Sequence, residues 1–466
     1  MRLLEIILIV TAIATLLGYM VLRSREELIV LPVLGSLLAV VQIAAEGYRW
    51  QMLPIYAFFV IVLVVAVLPH TGPIRLPDGL RVPSLLGGWV FVVAGTLLAA
   101  LLPVFSTPPT RVPVGTATFY WVDADRTEQY GPEPGGPREI MVQVWYPADP
   151  LPTAERHPWL DAPRETGAAM AEWVDLPAAL TRQFSLVQTH SYTDPPLVRS
   201  DDPFPVVISV HGWGSVRTIN QDQIEALAAR GYVVFSADHT YGALLTAFPD
   251  GRMAANYEPA IPNAEEVGQA AFQDAINQLV RTYADDTRFM LDRIEELAAE
   301  DPRFGGRLDM ERVGLFGHST GGGAVIEACA VDPRCDAALG LDAWVIPVSE
   351  SVVESGLAQP LMLINSEEWP SEANIERQRQ ILANSSEEAY LLTVEGTAHY
   401  DFTMIPLLSP ITRQIGLSGP LATRRVVTIN HAYLLAFFDS ALRDQPSRLL
   451  AGPSGVYPEA VSYTHL

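Results

Sequence analysis

The chain has 466 residues and a formal net charge of −23, with 30 basic side chains, all arginine, against 53 acidic ones. That surplus of negative charge excludes a nucleic-acid surface, because phosphate is repelled by a field of its own sign. The lack of lysine excludes Schiff-base chemistry, and two cysteines, Cys329 and Cys335, exclude a disulfide-dense scaffold or a four-cysteine zinc site.

Charge is unevenly spread. Residues 1–110 carry six Arg and five Asp/Glu, and the remainder carries 24 Arg and 48 Asp/Glu. A near-neutral apolar head therefore precedes an acidic body. In the head, four apolar runs stand out: Leu3–Leu22, Leu28–Ala45, Trp50–Leu68 and Leu85–Phe105. Each approaches the roughly 20 residues that a helix needs to cross a hydrocarbon core, so residues 1–105 are expected to form an integral membrane region with four spans. A cleaved signal peptide accounts for the first run only. Glu5 is the one charge inside a run, near enough to its end to reach the interface.

With four spans, the first and third loops hold Arg23, Arg25, Arg75 and Arg81. The amino terminus and second loop hold Arg2 and Arg49. The positive-inside rule then places the acidic body on the extracytoplasmic side, most simply of the plasma membrane. With no charge pair buried among the spans, transport through the bundle is disfavoured. Residues 106–114, with Pro108, Pro109 and Pro113, read as a stiff linker.

From Gly115 to 460 the pattern becomes short apolar runs alternating with helical periods. Strands are predicted over Thr116–Val122, Glu139–Tyr146, Pro205–Val210, Tyr232–Ala237, Arg312–Phe316, Ala337–Leu341, Pro360–Ile364 and Ala389–Val394. Helices are predicted over Gln221–Ala229, Ala270–Ala299, Gly322–Ala330, Glu372–Leu382 and Arg425–Leu442. Such alternation implies an α/β fold, a mostly parallel sheet with helices on both faces. Asp149–Asp202 lacks periodicity and reads as an excursion over the sheet, in part a lid. Residues 461–466 read as a sequencing-adapter scar and are left out of the functional reading.

The chemistry starts at His211-Gly212-Trp213-Gly214, which closes the strand ending at Val210. A turn there suits half of an oxyanion hole, made by the Trp213 N–H. Gly317-His318-Ser319-Thr320-Gly321 follows an apolar strand and opens a helix, the context that a nucleophile elbow requires. Ser319 is the candidate nucleophile, and the Thr320 N–H is the second oxyanion donor. Chain order in such folds is Ser, acid, His. His399, in the loop after the last predicted strand, is the candidate base. His431 lies in a helical stretch and reads as structural, whereas His318 beside the candidate nucleophile reads as a packing or pocket residue. For the acid, Asp342 after the strand Ala337–Leu341 competes with Glu367 and Glu368 one strand later. The cysteines can pair if exported or remain buried thiols. No metal-spacing cluster or phosphate-binding loop is present, so no cofactor is expected.

These motifs resemble the platelet-activating-factor acetylhydrolase family, the plasma and type II lipase-like branch of the α/β-hydrolases. The matching pieces are Met141-Val142-Gln143-Val144-Trp145-Tyr146-Pro147, His211 to Gly214, Gly317 to Gly322, Leu341-Asp342-Ala343-Trp344 and Thr397-Ala398-His399. The resemblance implies that Asp342 is the triad acid. It also implies calcium-independent hydrolysis of short or oxidised acyl esters of phospholipids. The membrane head departs from that family, as does Trp213, where a smaller apolar side chain is usual. An esterase for soluble esters or polyesters, tethered by the head, and a non-catalytic sensor module are the alternatives. Oligomeric state is not legible.

Overall fold

A computed structural model describes residues 1–21, 25–67 and 78–465. They form two compact units, one built on Met1–Phe105 with Arg182–Val187 and Leu408–Ile411, the other on the remainder.

The first unit contains α1 (Leu3–Val21), α2 (Arg25–Glu46), α3 (Leu53–Val67) and α4 (Asp78–Leu101). Each apolar run is helical, but the count of spans is corrected from four to three. Among the described residues, the helices long and apolar enough to cross are at Leu3–Met20, Ile29–Glu46 and Ser84–Leu101. Over the third run the chain first makes a 3₁₀ turn at Trp50–Met52, and the described helix that follows, α3, has 15 residues. At 1.5 Å per residue that is about 22 Å, against a hydrocarbon core of about 30 Å. Arg23 and Arg75 lie outside the described residues.

Near the start of α1, Glu5 is fully buried, and Arg49 donates to both of its carboxylate oxygens at 2.9 and 2.8 Å. Arg49 also donates to the carbonyls of Ala99 and Leu102 at the end of α4, while Arg2 reaches Glu5 and the carbonyls of Glu46 and Gly47 at the end of α2. Cations thus gather where helix carboxyl ends leave carbonyls unpaired. The pair ties helix ends together, a structural role that the sequence could not display because its partners are 44 residues apart.

The second unit holds an eleven-stranded sheet. Its strands are β1 (Val114–Thr127), β2 (Pro137–Pro147), β3 (Arg156–Pro158), β4 (Gln188–Thr193), β5 (Phe204–Val210), β6 (Val233–Asp238), β9 (Leu308–His318), β10 (Ala337–Leu341), β11 (Leu361–Ser366), β12 (Ala389–Val394) and β13 (Ala460–His465). The intervening β7 (Leu245–Ala247) and β8 (Met253–Ala255) make a separate hairpin. The order is β13-β12-β11-β10-β9-β5-β6-β2-β1-β4-β3, with β6, β5, β9, β10, β11 and β12 parallel. Residues of β5, β6 and β10 are buried throughout, as strands covered on both faces must be.

The helices are α5 (Pro163–Trp173), α6 (Gln221–Arg230), α7 (Ala264–Val267), α8 (Gln269–Glu300), α9 (Thr320–Val331), α10 (Glu350–Ser355), α11 (Glu372–Asn384), α12 (Ile405–Leu408) and α13 (Thr423–Arg443). One apolar cluster packs α8 and α9 on one face of the sheet, and a second packs α6 and α13 on the other. The chain leaves β5 toward β6 and later returns on its other side as β9. The ends of β5 and β9 therefore flank a topological switch point, where open α/β sheets hold their ligands.

The Asp149–Asp202 stretch is more than an excursion. It supplies β3 and β4, and β4 pairs parallel with β1. The residues that β4 buries are Thr189 and Ser191, whose hydroxyls bond the His157 carbonyl and the Glu225 carboxyl. A strand buried through polar side chains has no apolar alternation to detect. Residues 461–465, read from the sequence as part of an adapter scar, belong to β13, antiparallel to β12.

Candidate active site

The turn between β9 and α9 holds Ser319 at φ 56° and ψ −120°. For a residue with a Cβ this is a strained conformation, and it persists only where the surroundings impose it. Here they do: Ser319 N–H donates to the Leu341 carbonyl at 3.0 Å, and Trp344 N–H donates to the Ser319 carbonyl at 2.9 Å. The Ser319 backbone is thus bolted to the end of β10. Glycine is obligatory around it. A Cβ on Gly317 would lie 2.2 Å from the Gly321 carbonyl oxygen, and one on Gly321 would lie 2.2 Å from that of Val210.

At the end of β10 sits Asp342, also left-handed at φ 46° and fully buried. Its Oδ2 accepts from His399 Nδ1 at 2.8 Å and from Ser366 Oγ at 2.7 Å, while Oδ1 accepts from Ser366 N–H at 2.8 Å. Each oxygen is thereby satisfied. The competing carboxylates stand elsewhere. Glu367 and Glu368 are exposed, and Glu367 accepts from the Gly396 N–H. The structure therefore brings His399 to Asp342 and to neither glutamate.

His399 is held from several sides. Trp369 stacks on its ring with centroids 4.1 Å apart and planes 20° apart, and the His318 ring lies 4.4 Å away. His318 is buried and Nε2–H donates to the His399 carbonyl at 3.0 Å. Burial, together with the neighbouring His399, pushes His318 well below the ordinary imidazole value, so it stays a neutral packing residue. Asp401 fixes the loop itself, accepting from Ala398 N–H, Ser418 Oγ and Gly419 N–H. His431 is remote from this cluster and bonds Asp222 at 3.0 Å.

The His211–Gly214 turn passes directly over the elbow: a Cβ on Gly212 would be 3.1 Å from Ser319 Cβ. Trp213 follows, and α5 covers the turn from above, with the Trp173 ring against Gly214. Among the described residues, neither the Trp213 N–H nor the Thr320 N–H has a backbone acceptor. For Thr320 this follows from its place in the first turn of α9.

Sequence reasoning missed Ser366, Trp369 and Asp401. Ser366 lies two residues beyond the predicted strand Pro360–Ile364 and is the last residue of β11, where it holds Asp342. Among the described residues, no cluster of three or more His, Cys, Asp or Glu is placed to hold a metal ion. Cys329 and Cys335 form a disulfide joining α9 to the chain entering β10.

Comparison with known proteins agrees with this architecture. The solved structure of a ferulic acid esterase from Streptomyces cinnamoneus superimposes with a TM-score of 0.63 at 28% sequence identity, covering 78% of this chain and all of that one. The platelet-activating factor acetylhydrolase of Bos taurus is 24% identical over 273 residues, 53% of this chain and 59% of that protein. That of Gallus gallus is 23% identical over 358 residues, 70% of this chain and 84% of its own length. The chain thus spans little more than half of its bovine relative. The sequence profile of the family described as platelet-activating factor acetylhydrolase, isoform II, matches residues 133–446, well over half of the chain. The chain belongs to that family.

Proposed function

We propose that this protein is a membrane-anchored serine carboxylic-ester hydrolase acting on short or oxidised acyl esters of phospholipid-like substrates. The observation that carries this reading is the strained Ser319 turn beside a buried Asp342 that holds His399 at 2.8 Å. In the proposed reaction, His399 Nε2 takes the Ser319 proton as the hydroxyl oxygen attacks the ester carbonyl. Asp342 keeps the proton on Nδ1 and stabilises the imidazolium. The Trp213 and Thr320 amides receive the oxyanion, a contribution of several kcal/mol when two donors are preorganised. The alcohol leaves with the proton from His399, and water activated by the same ring releases the acid.

The phospholipid-like substrate rests on the names of the matched relatives, including one from Arthroderma benhamiae described as a probable 1-alkyl-2-acetylglycerophosphocholine esterase. A second reading, a tethered esterase for soluble esters, draws on the ferulic acid esterase, which the chain covers in full. A non-catalytic sensor is disfavoured, because a module without chemistry has no need of a strained serine beside a His–Asp pair.

For the head, the apolar helices expose Leu3, Val10, Leu37, Val40, Val60 and Val90, surface suited to lipid. Sidedness is proposed on two grounds. Whether three or four helices cross, the arginines of the amino terminus and inter-helix loops divide four to two, and both arrangements put the body opposite the four. The Cys329–Cys335 disulfide also belongs to an oxidising compartment.

The test is release of p-nitrophenol from acetyl, butyryl and decanoyl esters by the wild type and Ser319→Ala. Hydrolysis of a 2-acetyl phospholipid in vesicles should then be compared with that of a feruloyl ester. Loss of all turnover in Ser319→Ala is expected, and its survival would sink the reading. Preference for the feruloyl ester would decide for the soluble-ester alternative.

A further inference from the structure

We infer that His211 is a positioning residue that aims the Trp213 N–H at the oxyanion. This inference rests on the serine-esterase reading. The Gly212 carbonyl and the Trp213 N–H belong to one trans peptide unit, so they point in opposite directions, and fixing one fixes the other. His211 fixes the carbonyl: its Nδ1 lies 2.7 Å from the Gly212 oxygen, which also accepts from Ser215 N–H at 3.2 Å.

The ring's tautomer is imposed from its other edge. The backbone N–H of His239 donates to His211 Nε2 at 3.2 Å, so Nε2 is the acceptor and the proton sits on Nδ1. His211 therefore donates to Gly212 and has no alternative. Burial, with His239 beside it, pushes its pKa down to about 3, so it remains neutral and keeps that tautomer through the working range.

The donor behind it is itself fixed. His239 Nδ1 bonds Asp286 Oδ2 at 2.9 Å, and Asp286 accepts two further bonds from Arg138 at 3.0 and 2.6 Å. Arg138 also donates to the Thr240 carbonyl, the next residue along the chain. A rigid line thus runs from α8 through His239 and His211 to a single peptide plane. Gly212, which opens that plane, lies so close to Ser319 that a Cβ on it would be 3.1 Å from Ser319 Cβ. A glycine at 212 leaves this peptide free to flip, and the His211 bond removes that freedom.

The test uses the full chain in detergent micelles, with p-nitrophenyl acetate as substrate and rates normalised to the folded fraction from thermal unfolding. His211→Ala should lower kcat about a hundredfold, within the range for loss of an oxyanion donor, with KM changed less than threefold. His211→Asn, whose amide nitrogen overlies Nδ1, should recover at least tenfold of that loss. His211→Gln, which overlies Nε2, should not. Binding of a trifluoromethyl ketone, which forms the tetrahedral adduct, should weaken in step with kcat. Equal kcat for the Asn and Gln variants would overturn the inference, even if His211→Ala fails to fold. So would a loss confined to KM. Ser319→Ala, assayed alongside, separates the two claims: if it is inactive and the His211 variants behave alike, only the positioning role falls.

Discussion

Among the described residues three histidine–aspartate pairs lie in the second unit, and two of them, His399–Asp342 and His239–Asp286, are set apart by their surroundings. His399 bonds Asp342 at 2.8 Å with 14% of its side chain exposed, and among the described residues Asp342 has no arginine partner. His239 bonds Asp286 at 2.9 Å with both side chains fully buried, and Asp286 is also paired with Arg126 and Arg138. In the first pair, under the proposed mechanism, the carboxylate's charge is left to stabilise an imidazolium when one forms. In the second, two guanidinium groups have already claimed it. Burial alone would raise the Asp286 pKa, but the Arg138 charge and the bonds from His239 and Arg138 hold it far below the carboxylate range. His239 is pushed down by burial more than its carboxylate partner raises it. A His–carboxylate contact is therefore no signature of catalysis by itself. Exposure and the remaining charge separate the pair proposed to work from the pair that braces.

The strongest test acts on the pair at the mouth. Ser319→Ala should remove at least about 10⁴-fold of kcat for p-nitrophenyl acetate, since the histidine has nothing left to activate. Asp342→Asn should cost about 10³–10⁴-fold, equivalent to about 4–5 kcal/mol of barrier, because the amide favours the wrong tautomer of His399. Thermal unfolding should move little in either variant. Glu367→Gln and Glu368→Gln should leave kcat within about twofold. A large loss in either would shift the acid's role to β11.

The parts of this site that were legible share a property: each is marked by its neighbours in the chain. Ser319 sits between glycines, after an apolar strand and before a helix, and Asp342 and His399 follow strand ends. The parts that were not legible are defined by partners far away. Ser366 matters because β11 lies beside β10, Trp369 because it stacks on a ring 30 positions later, and His211 because the N–H of His239 reaches it. The same division holds for the fold. The eight apolar strands could be read, whereas β4, buried through Thr189 and Ser191, could not. In the head, apolar length located all four helices. The 3₁₀ turn before α3, and the burial of Glu5 on Arg49, carry no such mark in the chain.

The bracing pair should behave differently when broken. Asp286→Asn leaves Arg126 and Arg138 facing a neutral amide, and removal of one partner from a buried ion pair costs about 3–5 kcal/mol. That loss should appear in urea unfolding of the body, while kcat per folded molecule falls far less than in Asp342→Asn. The pH dependence has a definite sign. Because the folded pKa of Asp286 lies below its unfolded value of about 3.9, its contribution is present above that value and fades as pH falls below it. The wild type should therefore lose stability below about pH 4 more steeply than Asp286→Asn. Parallel acid transitions would show that the carboxylate is not the brace.

The smallest expected effect tests the link between the nucleophile's helix and the acid's strand. The Cys329–Cys335 bond spans six positions of sequence, and closing so short a loop is worth about 2 kcal/mol in the chain-entropy relation. The bond joins α9 to the chain entering β10, but the register of Ser319 and Asp342 is already set by the Ser319 and Trp344 backbone bonds. Cys329→Ala with Cys335→Ala should accordingly lower unfolding free energy by about 2 kcal/mol and leave kcat within about twofold. A collapse of kcat would mean that the disulfide, rather than those backbone bonds, holds serine and acid in register. The same cysteines report the compartment. Protein isolated from its own membrane under alkylating conditions should show no free thiol once denatured, because an extracytoplasmic body keeps the pair oxidised. Two alkylated cysteines would instead place the body on the reducing side and reverse the proposed orientation.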